Sequence, residues 1–469
     1  MRVRPWKLSE GFLIGGVIIV AGLALQLTLG PIKWSALVMP AGLIVLVLLM
    51  ALLSGMYLLR KRVYAFEWMM HSQAAVSSIA CALGLTMVMG LIPQSREVGV
   101  PWLFRMLTFW PFALIWAWMM VVSGLATINH FLRFKLKEIP FLLNHLGVFL
   151  TIVAATLGCA EVQKLQMTVY YDSPERMAIS DDGVTVEPGF SVELHAFTID
   201  YYEDLTPRRF ASDISVKTED GAILRGEVEV NKPMKVNGWK IYQSGYDVRM
   251  GDKSPYSVLM LVKDPSLPAV YTGIFLMLAG AVSLLIIRRY PKRKFVLLAS
   301  LLLTIFFTFL TVSRMGPSAR SLPPALQSPW FIPHLIVYMA GYALLATATL
   351  MAIYILFFGK DKVTDREINI TDNLVYAGLA FLTVGMLFGA LWAKQAWGHY
   401  WTWDPKETWA AITWLCYLLY LHFRTARPKE WRDACWILLL AFVCLQICWW
   451  GINYLPSAQG MSIHTYTSH

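Results

Sequence analysis

Residues 141–161 read FLLNHLGVFLTIVAATLGCAE, and this stretch decides the fold. It holds no Asp, Glu, Lys or Arg before Glu161, and about 20 predominantly apolar residues are enough for a helix to cross the hydrocarbon core of a bilayer. Only a helix or a closed barrel satisfies its own backbone there. From residue 162 to about 268 the apolar blocks stop. Alternation replaces them, clearest in 184–199, 213–230 and 234–243, with Asp220-Gly221 and Asn237-Gly238 as hairpin signals. A membrane helix therefore opens directly into a β-rich domain.

Working outward, four further apolar blocks precede this one, at 11–29, 36–59, 72–92 and 108–131, and six follow, at 269–287, 295–313, 334–358, 373–392, 409–423 and 433–452. The fold class expected is a polytopic α-helical membrane protein of about eleven spans with an inserted external β-rich domain. Arg2, Arg4 and Lys7 ahead of the first block imitate a signal peptide, but no small-residue cleavage site follows and a second span begins at once, so it is expected to be a retained helix. The basic clusters Arg60–Arg62, Arg133–Lys137, Arg288–Lys294 and Arg424–Arg432 all fall in loops on one side. The positive-inside bias makes that side cytoplasmic and puts the β-rich domain and the C-terminal tail outside.

Composition narrows the function classes. With 57% hydrophobic and 15% charged residues, the partner that matters most is the lipid bilayer. The net charge of +10 lies in short clusters between spans, so no nucleic-acid partner is expected. The six cysteines form no CxxC pair, and neither zinc nor disulfide-relay chemistry is expected from them. There is no solenoid repeat and no low-complexity tract.

The stretch richest in chemistry is WGHYWTWDPKETW, residues 397–409, in an expected external loop. An interfacial aromatic belt accounts for tryptophan density. It does not account for Asp404, Lys406 and Glu407 set among Trp397, Trp401, Trp403 and Trp409, nor for Gly398, where a flat object can approach the backbone. A large planar apolar ligand with anionic groups suits this set: rings to stack on, a lysine to pair with the anions. Haem fits, with neutral imidazoles as axial ligands. His334 and His464 flank the loop on its expected side, whereas His422 and His145 lie near the opposite ends of their spans. His130 and His71 compete with His145 as the partner of His422, and His399, inside the loop, reads as a hydrogen-bonding residue.

The tryptophan loop resembles the signature of the haem-handling CcsA/CcmC/CcmF group, and Asn237-Gly-Trp239-Lys-Ile-Tyr242-Gln243-Ser-Gly245-Tyr246 is similar to a recurring strand of the ResB family. Together they suggest a ResB/CcsA fusion of the two-component cytochrome c biogenesis pathway. The domains implied are two extra helices (1–66), ResB-like helices (67–161), the β-rich domain (162–268), a last ResB-like helix with a cytoplasmic linker (269–294) and a CcsA-like haem-handling domain (295–469).

The resemblance implies a holocytochrome c synthase, or haem lyase, of a bacterial inner membrane. It would deliver haem b as bound ligand and substrate and attach it to the CxxCH motif of apocytochrome c, with the thiols reduced by a thioredoxin-type protein. It also implies His334 and His464 as external axial ligands, His422 and His145 as membrane ligands, and no nucleophile from this chain. A haem exporter without ligation, or a quinol oxidoreductase that keeps its haem, are the alternatives.

Overall fold

The computed structural model describes residues 6–95, 101–287, 322–359 and 363–458, with a few positions between 301 and 309. Its helices are α1 (Leu8–Leu29), α2 (Ala41–Leu59), the short α3 (Tyr64–Trp68), α4 (Ser72–Leu91), α5 (Trp110–Phe131), α6 (Ile139–Gly158), α7 (Leu267–Ile287), α8 (Phe331–Ile353), α9 (Asp365–Trp397), α10 (Pro405–Ala426) and α11 (Trp431–Trp449). Among the described residues nine helices are long and apolar enough to cross a membrane. α10 is not one of the nine. It carries Lys406, Glu407, His422 and Arg424, and it lies against α4, α9 and α11, which shield it. The expected span 295–313 and the basic linker 288–294 fall largely outside the described residues.

α9 is longer than the expected span 373–392 at both ends. A capping box begins it, with Glu367 accepting from the Thr364 amide at 3.0 Å. Gly398, at φ +77°, ends it in the left-handed conformation that glycine adopts without strain. The expected loop 393–408 therefore shrinks to residues 398–404, because the apolar-block boundary marks where hydropathy falls and not where hydrogen bonding stops.

Between α6 and α7 stands the β-domain, with a six-stranded antiparallel sheet ordered β3-β2-β1-β9-β8-β7 and a three-stranded sheet β4-β5-β6. The strands are β1 (Gln163–Tyr170), β2 (Ala178–Ser180), β3 (Thr185–Val186), β4 (Phe190–Tyr201), β5 (Pro207–Thr218), β6 (Ile223–Glu229), β7 (Met234–Val236), β8 (Trp239–Tyr246) and β9 (Tyr256–Lys263). Inward residues of both sheets, among them Met167, Val192, Ile214, Ile241 and Leu261, make a core of their own. Asn237 and Gly238 both have positive φ, the two-residue turn that the β7–β8 hairpin demands.

β1 leaves α6 and β9 enters α7, and they pair along their whole length from Gln163↔Lys263 to Tyr170↔Tyr256. The helices below them pack as closely. A Cβ on Gly147 would lie 2.8 Å from the Gly273 carbonyl, so the α6–α7 contact tolerates only glycine there. The two halves of the chain interlock where α4 runs along α10 and where α7 meets α9.

Candidate functional site

The tryptophan loop starts at the end of α9 that faces the β-domain. Asp404 N-caps α10, accepting from the Lys406 amide at 2.9 Å, and Pro405 takes the first helical position. Glu407 reaches back to the Thr402 amide at 2.7 Å and the Asp404 amide at 3.3 Å. The two carboxylates that single out this loop in the sequence therefore fold it. Lys406 sits half-buried in the first turn of α10. Trp403 is left at φ +59°, a strained conformation for a tryptophan, with its carbonyl held by the Thr408 hydroxyl at 3.1 Å.

The rings divide into groups. Trp397 lies 5.5 Å from Trp392 and stacks on His399 at 6.3 Å. Trp392 is in turn 5.9 Å from His334. Trp401 meets Trp403 edge-on at 5.8 Å, and Trp403 faces Phe112 and Trp116 of α5 at 5.9 and 5.6 Å. Trp409 is buried apart from them, its indole donating to the Gly90 carbonyl of α4 at 3.1 Å. Gly398 admits a close approach, but the approaching atoms are Val262, Tyr242 and Met260 of the β-domain.

The β-domain grips the same helix end. Lys394 Nζ is 2.8 Å from Asp264 Oδ2, with the side chains 2% and 4% exposed. The Tyr242 hydroxyl donates to the Lys394 carbonyl at 3.0 Å, and burial pushes that phenol's pKa well above its usual value, so it stays a donor. Gln395 donates to the Asn231 carbonyl and the Trp392 indole to the Ala325 carbonyl, each at 2.8 Å. Sequence reasoning missed Lys394 and Asp264. A lysine at the end of an apolar helix signals a buried partner, but nothing in the sequence names one 130 positions away.

At the opposite end of the bundle the rings of His145 and His422 stand 6.2 Å apart at 65°. His145 Nδ1 meets the Phe141 carbonyl at 2.9 Å and His422 Nδ1 the Leu418 carbonyl at 2.8 Å. A carbonyl only accepts, so Nδ1 carries the proton and the lone pair is on Nε2 in both rings. His334 repeats the arrangement, with Nδ1 2.7 Å from the Gly385 carbonyl. This is how second-sphere contacts orient a metal-ligating imidazole.

The 6.2 Å separation is close to that of two imidazoles sharing one metal, given metal–nitrogen bonds of ~2.0–2.1 Å and about 1 Å from nitrogen to ring centre. His130 stacks on Phe141, which stacks on His145, and its Nδ1 faces Glu138 at 3.0 Å. His71 is exposed at the N-cap of α4. His464 lies outside the described residues.

A helical membrane bundle with an inserted β-domain clamped onto an aromatic loop is the class of protein these features define. Residues 133–258 match the ResB-like family, and residues 268–458 match the family described as Cytochrome C assembly protein. The chain thus joins a ResB-like segment to a cytochrome c assembly segment in one polypeptide. It is similar to the cytochrome c biogenesis protein CcsA of Chlamydomonas reinhardtii, 40% identical over 176 residues, 36% of this chain and 48% of that protein. The CcsA of Mesostigma viride is 34% identical over 200 residues, covering 36% and 64%. That of Prochlorococcus marinus (strain AS9601) is 32% identical over 197, covering 35% and 62%. The chain therefore spans about half to two thirds of the length of these relatives.

Proposed function

We propose that this chain works in cytochrome c biogenesis as a holocytochrome c synthase, taking haem as substrate from the membrane histidines to the tryptophan loop and attaching it to apocytochrome c. The observation that carries the reading is the shared geometry of His145, His422 and His334, each with Nδ1 on a backbone carbonyl, the last beside the tryptophan cluster. Neutral imidazoles fixed in that tautomer suit haem iron. His334, with His464 from the tail, is the axial pair of this proposal at the loop, and His145 with His422 the pair in the membrane. Lys406 pairs with a propionate.

At the loop the task is positioning. Trp397, Trp401 and Trp403 fix the plane of haem b, and a cleft of about 290 Å³ lined by Phe210, Tyr246, Pro324 and Trp397 lies beside it. The acceptor's CxxCH histidine replaces one axial imidazole. Each thiol then adds across one vinyl group: the S–H and the C=C π bond break, and a C–S and a C–H bond form, with no net redox change. Holding thiol and vinyl together makes the addition effectively unimolecular. The thiols must arrive reduced, which calls for a thioredoxin-type donor. This reading takes the membrane to be a bacterial inner membrane, with the basic loops cytoplasmic and the β-domain on the outer side.

Coexpression with an apocytochrome bearing CxxCH tests the reading. Haem that stays on the partner after denaturation is expected, and His334→Ala should abolish it, with external imidazole restoring part of the signal. Haem bound here without a modified partner would leave an exporter or a quinol oxidoreductase instead.

A further inference from the structure

Resting on that reading, we propose that Trp116 of α5 belongs to the haem-holding wall and that its indole N–H is a donor for a carboxylate on the ligand's edge. α5 ends before residue 133, so it lies outside both family-matched segments.

Three observations carry this. Trp403 is held at its strained φ by the loop's own capping bonds, which fixes its ring against Phe112 and Trp116. The wall begun by the tryptophan loop is therefore continued by a helix from the other half of the chain. Second, other indoles nearby are satisfied: Trp110 donates to the Gly30 carbonyl, Trp392 to that of Ala325, Trp409 to that of Gly90 and Trp414 to the Thr383 hydroxyl. Trp116 Nε1 is buried and has no acceptor among the described residues.

A buried donor is a loss to the fold unless something accepts from it. Trp68 and Trp118 also have buried, unaccepted indole nitrogens, but their rings lie against Gly11 and Gly15 of α1. Trp116 is the one of the three that meets a ring of the tryptophan loop. Third, the ligand class supplies what is missing, since a planar apolar ring system with carboxylates stacks on indole faces and accepts from an indole N–H.

The test uses the full chain in nanodiscs, titrated with haemin and with haemin dimethyl ester, whose carboxylates are masked. Trp116→Phe keeps a ring and removes the donor. It is expected to weaken haemin binding about tenfold, the scale of a hydrogen bond to a charged group, and the ester's binding clearly less, because a neutral ester carbonyl accepts more weakly than a carboxylate. Trp118→Phe, which removes the indole facing α1, should change neither titration. Equal haemin affinity in Trp116→Phe and parent would overturn the proposal, as would an equal loss for the ester or in Trp118→Phe. A parent chain that binds no haemin would instead sink the functional reading, and this proposal with it.

Discussion

Replacing Lys394 by methionine should release the β-domain from the tryptophan loop without unfolding either. The substitution keeps the stem of the side chain and leaves the Asp264 carboxylate, 4% exposed, without its cation. Breaking a buried ion pair from one side costs about 3–5 kcal/mol. The lower end applies, because Ser266 still donates to Asp264 at 2.8 Å and the Tyr242 bond uses the Lys394 backbone. The β-domain core contains neither residue of the pair, so the cost falls on docking. A loss of about 3 kcal/mol raises the open population roughly a hundredfold. Hydrogen–deuterium exchange in nanodiscs should report that acceleration in residues 239–246 and 395–404, with the centre of the six-stranded sheet unchanged.

Adding Asp264→Leu removes the orphaned charge and should restore most of the protection. Exchange in Lys394→Met within about threefold of the parent, or a double variant no better than the single, would refute the argument that this pair clamps the loop.

Gly398→Ala should lower stability by about 1–3 kcal/mol, because alanine is strained at that φ and its Cβ would sit 2.9 Å from Val262 and 3.1 Å from Tyr242; thermal unfolding in detergent measures it. Arg209 bonds to Glu229 at 2.8 Å and pairs with Glu227, and it holds the Glu229 carboxyl below its usual pKa. A depressed carboxyl stabilises the fold above its unfolded pKa of about 4.3 and loses that contribution as pH falls through its folded value. Arg209→Ala should therefore weaken the β-domain by about 1 kcal/mol at neutral pH after allowance for partial exposure. By near-ultraviolet circular dichroism the gap should close in acid, with the variant unfolding at the higher pH.

The spans and the β-domain were legible because each rests on a local period: unbroken apolar runs of bilayer length, then alternation closed by Asn237-Gly238. The tryptophan loop was legible as a composition, and its polar residues have a structural role that composition does not single out. Asp404 and Glu407 stand out among rings, but an acid at the N-cap with another three residues on is equally a capping box, and that is how they bond here. Trp409 looked like a member of the stack and instead ties α10 to α4 through Gly90. What the sequence could not reveal is non-local. The Lys394–Asp264 pair, the Gly398 contact and the place of Trp116 beside Trp403 all join segments far apart in the chain, and no periodicity encodes such a meeting.

α10 relates the two candidate haem levels. It starts at the N-cap Asp404, in the tryptophan loop, and carries His422 one turn from its end. Eighteen residues at 1.5 Å each put about 27 Å between them, close to the thickness of the hydrocarbon core. No side-chain rotation covers that distance, so under the proposed function His145–His422 and the tryptophan loop would be two haem sites rather than two states of one. Whatever passes between them must itself travel. α10 is the least apolar overall of the long described helices and is walled by α4, α9 and α11, so it forms the protein-lined element common to both ends. Among the described residues, the Lys394–Asp264 pair and the Tyr242 bond join the β-domain to the bundle at the loop end, about the length of α10 from His422.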